Sequence, residues 1–283
     1  MIAAFTIPQI PLAKIINKIL DFLVTQFSPL TKAFSGVVET GIDAMVTGLM
    51  FPPPWVLIII LAAIAWYVSG WKVSLFSLIG LALTWSLDLW EPMIETLTMV
   101  IIATLIAVAV GIPLGILAAL SKGFKKIIMP ILDFMQTMPA FVYLIPAIPF
   151  FGLGPVAAIF STVIFAMPPS IRLTCLGIDQ VNPELIEAAD AFGSNKGQKL
   201  LKVQLPLATP TIMAGINQTI MLSLSMVVIA AMIGAKGLGG EVWKAIQRLQ
   251  PGKGFEAGLA VVILAMILDR ITQKITAKNG NKE

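Results

Sequence analysis

The stretch "PELIEAADAFGSNKGQKLLKVQLP", Pro183–Pro206, decides how this chain is read. It is a strongly polar interruption in a very apolar sequence, and it opens like a capped helix. Asn182 is a good N-cap, Pro183 suits the first helical position, and Glu184 complements the positive end of the helix dipole. Gly193 supplies the left-handed residue that closes a helix over 183–192. On a 100° wheel Leu185, Ala188, Ala189 and Phe192 share one face, while Glu187 and Asp190 lie on another. The two alanines keep that surface low, so a neighbour can approach closely. No residue in the stretch has the setting of a catalytic group. It reads as a docking element, held against a membrane by the basic segment Lys196 to Lys202.

The membrane follows from the rest of the chain. Of 283 residues, 58% are hydrophobic and 12% charged, against about 25% charged in a soluble domain. The formal charge of +4 fits lysine-rich loops beside a bilayer better than a nucleic-acid surface. With no His and the single cysteine Cys175, the chain has no zinc-ligand set and no intrachain disulfide. Cys175 reads as a small apolar residue near the inner interface. The start, "MIAAFTIPQI", lacks the basic and apolar regions of a cleaved signal peptide.

Residues 1–54 read as an amphipathic, interfacial region. Ile15, Ile16, Ile19, Leu20, Leu23, Val24 and Phe27 recur at helical spacing, opposite Lys14, Asn17, Lys18 and Asp21. Ser28-Pro29 reads as an N-cap followed by Pro at the first position of a second amphipathic helix. After Pro52 to Pro54, seven segments approach the ~20 apolar residues that cross a bilayer: 55–71, 72–90, 95–120, 127–150, 153–173, 208–234 and 255–274. The fold class is therefore an all-α integral membrane protein, a polytopic helical bundle. Residues 55–92 form two plain scaffold spans, and 276–283 form a basic tail. Trp55, Trp71 and Trp90 sit at span ends, as an aromatic belt requires. One alternating topology gathers twelve of the nineteen basic residues on one side. That side is the cytoplasm by the positive-inside rule. It places the N-terminus outside, the C-terminus inside and the 174–207 loop in the cytoplasm.

Two spans carry features beyond apolarity. In "PILDFMQTMPAFVYLIPAIPFFGLGP", Pro130, Pro139, Pro146 and Pro149 each remove a backbone donor, so the segment belongs inside the bundle. A kinked packing helix and a pathway wall fit it equally, and Gln136, Thr137 and Tyr143 are its candidate lining groups. Asn217, Gln218, Thr219, Ser223 and Ser225 suit a bundle interior or a translocation route. Gly111 and Gly115 form a GxxxG pair that reads as helix packing. Asp88, Glu91 and Glu95 fall near the outer boundary and Asp269 near the inner end of the last span. Asp133 is the one carboxylate whose depth the sequence leaves open. The "GAKGLGG" run, Gly234 to Gly240, reads as an outer turn or re-entrant bend. No GxxxxGK[ST] is present, so energy for active transport comes from another subunit.

On these residues the chain resembles a known family. "EAADAFG", nine residues and "VQLP" match the EAA loop of membrane subunits of binding-protein-dependent ABC importers. Glu187, Ala188, Ala189, Gly193, Leu205 and Pro206 occupy the pattern, and Val203 replaces its Ile. The resemblance covers residues 93–275 and implies a five-helix, type I importer core. "QTMPAFVYLIPAIPFFGLGP" and "LPLATPTIMAGINQTIMLSLSMVVIAAMIGAKGLGG" are similar to glycine betaine/proline betaine permeases. The resemblance implies a permease subunit in a prokaryotic cell membrane, working as two copies with two cytoplasmic ATPase subunits and an external solute-binding protein. ATP and Mg would bind the ATPase subunit, and this chain would bind no cofactor. Glu187, Ala188, Ala189, Asp190, Gly193, Leu205 and Pro206 would couple to the ATPase. An importer for amino acids or other small solutes, or a secondary carrier or channel, remains open at this point.

Overall fold

The computed structural model describes residues 11–280, with side chains as far as Lys274. The reading of "MIAAFTIPQI" and the last three residues of the expected basic tail fall outside the described residues. Every regular element among those described is a helix.

Three helices make the centre: α4 (Trp90–Leu120), α7 (Pro155–Asp179) and α10 (Leu205–Ile229). α7 packs along both of the others. Each is long and apolar enough to cross a membrane, α10 with the flanking turns from Lys196 to Ile233. Lipid supplies no hydrophobic drive for helices to associate, so close packing of small residues must do it. A Cβ on Gly111 would lie 2.8 Å from Ser170 Oγ, and one on Gly115 would lie 2.6 Å from Thr174 Cβ. On the other side of α7, a Cβ on Gly215 would come within 3.2 Å of the Pro169 carbonyl oxygen. The GxxxG pair is thus a contact surface. Ile94, Met99, Val100, Ile159, Ile171, Met226 and Val227 fill the remaining core.

The span expected over 127–150 is broken. It forms α5 (Lys122–Thr137), a 3₁₀ turn (Ala140–Tyr143) and α6 (Leu144–Phe151), with a bend of 112°. Met138 is extended, at φ −73° and ψ 136°, as the residue before a proline is pushed to be. Pro139 leaves the Met135 carbonyl without its helical donor, four residues back. The Tyr143 hydroxyl donates to that carbonyl. The Tyr143 carbonyl in turn accepts from Ser161 Oγ at 3.1 Å. The Tyr143 ring packs edge-on against Phe165, with centroids 5.6 Å apart.

The periphery departs from expectation in two places. α1 is one helix, Leu12–Met50, with Pro29 inside it, where two helices were expected. Pro29 frees the carbonyl of Thr25, and Thr25 is exposed, so solvent can satisfy that group in place of a second cap. The break comes at Phe51–Pro53, with a 99° turn into α2 (Pro54–Ser69). α2 and α3 (Trp71–Ser86) pair as a hairpin about Gly70, at φ 92°. At 16 residues each they are about 24 Å long, short for a bilayer crossing. α11 (Leu238–Gln247) and α12 (Pro251–Gly280) complete the chain, α12 packing on α10, α11 and the α2–α3 hairpin. Trp55 and Trp71 are exposed, but Trp90 is only 6% exposed and belongs to the core, so it is no belt residue.

Tyr143→Phe removes the donor that Met135 needs at the break. The bond is part-buried, and leaving such a carbonyl unpaired costs at most about 1–3 kcal/mol. Denaturation in detergent micelles is expected to show a loss of that size with the helical content unchanged.

Candidate functional site: the capped loop between α7 and α10

The two best-packed central helices are joined by the polar stretch. α8 (Pro183–Ala191) begins with Asn182 accepting from the Glu184 N–H at 3.0 Å. It ends with Phe192 N–H on the Ala188 carbonyl, Gly193 N–H on Asp190 and Ser194 N–H on Ala189. Gly193 sits at φ 76°, which a side chain would strain. A short turn α9 (Lys196–Lys199) follows, closed by a reciprocal capping box. The Asn195 side chain accepts from the Gln198 N–H and Gln198 accepts from the Asn195 N–H, both at 2.9 Å. A π-helical turn, Leu200–Gln204, leads into α10, so Leu205 and Pro206 open that helix.

An ion pair pins the loop. Lys199 Nζ lies 2.6 and 2.7 Å from the two carboxylate oxygens of Asp190. Asp190 therefore serves the loop's own structure, and Lys199 is not free to hold it to a membrane. Ala189 is packed at 9% exposure, while Leu185, Glu187, Ala188 and Phe192 face outward. Phe192 is 91% exposed. Glu187 has no ion-pair partner among the described residues. At the loop's base Lys125 of α5 pairs with Asp179 at 2.5 Å, and the buried Cys175 thiol lies 3.5 Å from the same carboxylate. Cys175 thus combines the expected burial with a polar contact that its spacing did not announce.

The polar residues expected along a pathway divide. Gln136, Thr137 and Gln218 are exposed on the bundle surface. Tyr143 is buried and serves the break. Asn217 faces α12: its amide donates to Asp269 at 3.2 Å and its carbonyl oxygen accepts from Thr272. Thr219 is buried, with its hydroxyl on the Gly215 carbonyl at 2.9 Å. Ser223 is buried with no partner for its hydroxyl. Three partnerships had no sequence signal beyond isolated polar residues: Asp190–Lys199, Asn217–Asp269, and an ion pair between Asp133 and Arg172 at 2.5 Å. A carboxylate and a guanidinium standing alone in separate spans are the one hint of such a match.

At the opposite end of the bundle the "GAKGLGG" run turns at Gly234 and Gly237, with φ 87° and 98°. It is pinned to α4 by the Leu238 N–H on Thr96 Oγ1 at 2.8 Å. Together they border a cleft of about 600 Å³ lined by Glu91, Glu95, Lys236 and Trp243.

A five-helix core of α4, the broken α5–α6 span, α7, α10 and α12, with a rigid polar helix hung between its central members, defines a multi-pass transport subunit. The chain belongs to the family described as the binding-protein-dependent transport system inner membrane component, whose model matches residues 111–278. It is 52% identical over 276 residues to the glycine betaine transport system permease protein OpuAB of Bacillus subtilis, covering 98% of each chain. It is 52% identical to the glycine betaine/carnitine transport permease protein GbuB of Listeria monocytogenes, covering 96% of this chain and 98% of that one. It is 47% identical to the glycine betaine/proline betaine permease ProW of Escherichia coli, covering 96% of this chain and 78% of that one. Among solved structures, an inward-facing form of the MetNI methionine ABC transporter matches with a TM-score of 0.63 at 22% identity, covering 68% of this chain and 95% of that chain. That likeness shows the fold alone.

The Asp190–Lys199 pair is part-exposed, so its loss should change global stability by less than ~1 kcal/mol. Asp190→Ala is instead expected to raise amide exchange several-fold across 193–199 while α7 and α10 stay protected. Hydrogen exchange with mass spectrometry measures it, and unchanged protection in the loop contradicts the pinning role.

Proposed function

We propose that this chain is the membrane-crossing subunit of an ATP-driven importer for glycine betaine or a related compatible solute. The observation that carries it is α8 itself: a capped, internally braced helix with an exposed face of two apolar side chains and a small residue, and an unpaired carboxylate on another side. Such a face fits a groove on another protein, with Ala188 allowing close approach and Glu187 free to find a partner. α8 hangs from α7 and α10, the pair at the centre of the bundle. Force applied to α8 therefore reaches the helices that the other spans pack against. The sequence has no phosphate-binding loop, so the motor is a separate ATPase subunit, and ATP and Mg belong there.

The full assembly in this reading has two copies of the chain, two ATPase subunits at the α8 end and a solute-binding protein at the end bearing the Glu91–Trp243 cleft. The α8 end is cytoplasmic and the N-terminus outside, which follows the excess of basic residues near α8. The solute class is supported by the relatives' names. Glycine betaine, proline betaine and carnitine recur in them, and trimethylamine N-oxide and choline appear in relatives at 34% and 32% identity. All carry a methylated nitrogen.

Reconstitution with ATPase and binding-protein partners is expected to give labelled glycine betaine uptake that requires ATP. Uptake by this chain alone, driven by an ion gradient, would overturn the reading. Gly193→Glu, which strains the turn at the end of α8, is expected to insert normally and to lose uptake more than tenfold. Normal uptake by that variant sinks the coupling role of α8.

A further inference from the structure

α5 carries polar groups toward both ends of one face, with Met129 and Pro130 between them. On a helical wheel Lys122, Lys126, Gln136 and Thr137 all fall within about 60° of Asp133. All five are exposed. Ile127, Ile131 and Phe134, also exposed, form a stripe roughly 100–160° away. Leu132 is the only side chain of α5 that is buried. The helix therefore has a narrow packed edge, an apolar face suited to lipid, and a polar face that lipid cannot accept. The polar face must meet water or protein.

The deepest charge on that face is half of an ion pair. Asp133 stands eleven residues into α5, about 16 Å along its axis. Arg172 stands seven residues before the end of α7, about 10 Å from it. Arg172 Nη2 lies 2.5 Å from Asp133 Oδ1. The Asp133 side chain is 65% exposed and that of Arg172 32%. Arg172 Nε is buried and has no hydrogen-bond partner, so the guanidinium fork is only partly used. Gln136 and Thr137 follow within about one turn. The other α5–α7 ion pair, Lys125–Asp179, lies at the loop end and leaves no such orphan donor among the described residues.

We infer that the Asp133–Arg172 pair is a solute-binding point of the pathway, which opens to hold a zwitterion with its carboxylate on Arg172 and its quaternary ammonium group against Asp133. The inference rests on the proposed betaine-type substrate and adds where that substrate is recognised within the membrane. A guanidinium presents parallel donors that match a carboxylate in the same way whether it comes from a side chain or a solute. A quaternary ammonium has no N–H to donate, so it is held by aromatic faces or by an opposite charge, and Asp133 supplies the second. Exchanging one ion pair for two keeps every charge compensated, and no lone charge is stranded in a low-dielectric site. The pair also fits a resting state, since the two charges compensate each other while no solute is present.

The test uses the complete transporter in proteoliposomes, with labelled glycine betaine uptake at saturating binding protein and ATP hydrolysis in the same preparation. Asp133→Asn and Arg172→Gln are each expected to lower uptake at least tenfold while ATP hydrolysis stays within twofold. The double variant D133N/R172Q strands no charge. If the pair merely joins α5 to α7, the double variant recovers uptake toward wild type, and the inference is overturned. If the pair binds solute, the double variant stays at least tenfold low. Arg172→Lys keeps the charge pairing and loses the fork; it is expected to assemble and still lose more than threefold, and full uptake by it also counts against the inference. Failure of the wild-type complex to take up glycine betaine overturns the substrate reading and this inference with it. Wild-type uptake that survives in the variants overturns this inference alone.

Discussion

Where Gly111 and Gly115 of α4 meet Ser170 and Thr174 of α7, there is no room for a Cβ. Gly215 of α10 approaches α7 nearly as closely, where a Cβ would lie 3.2 Å from the Pro169 carbonyl oxygen. These contacts bring three helix backbones together in a solvent that gives helices no hydrophobic reason to associate. The rest of the bundle depends on that arrangement. α12 packs on α10, the α2–α3 hairpin packs on α12, and α1 lies against α4, α6 and α7. α8 is tied at both ends to this centre, which is why a short polar helix can act on a membrane core.

The prolines of the second core span work in the opposite sense. Pro139 ends α5 and turns the chain through 112°, and Tyr143 supplies the hydrogen bond that the proline withholds. The break frees α5 from the packed centre, leaving it a single buried side chain. A helix so lightly buried can carry exposed polar groups such as Asp133, Gln136 and Thr137, where a fully packed helix could not. The residue that looked like a pathway group, Tyr143, instead makes the break possible, and the exposed Gln136 and Thr137 occupy the face that the break creates.

Much of the coupling loop was legible because its determinants are local. Asn182, Pro183 and Gly193 act within a turn of where they stand, and each does in the structure what its type predicts. The three central spans were legible for the same reason, since apolar length is a local property. Pro29 misled because the hydrogen bond a proline removes from an exposed helix can be replaced by solvent, so the helix can continue through it. Trp90 misled because an aromatic at a span end can turn inward as well as toward headgroups, and its neighbours in space decide which.

The sequence by itself determined an all-helical membrane chain, the positions of its three central spans, the capped helix that begins at Pro183 and, through the spacing from Glu187 to Pro206, the family. Only the tertiary structure decided the partnerships: Asp190 with Lys199, Asn217 with Asp269 and Asp133 with Arg172. The physical reason is range. Caps, periods and breaks are set by neighbours within about a turn, whereas Asn217 and Asp269, 52 residues apart, meet only because packing of the intervening helices brings them together. A polar residue in a span shows that some partner is needed. Which partner it finds, and whether it faces the core or the open face of the bundle, is settled by the fold.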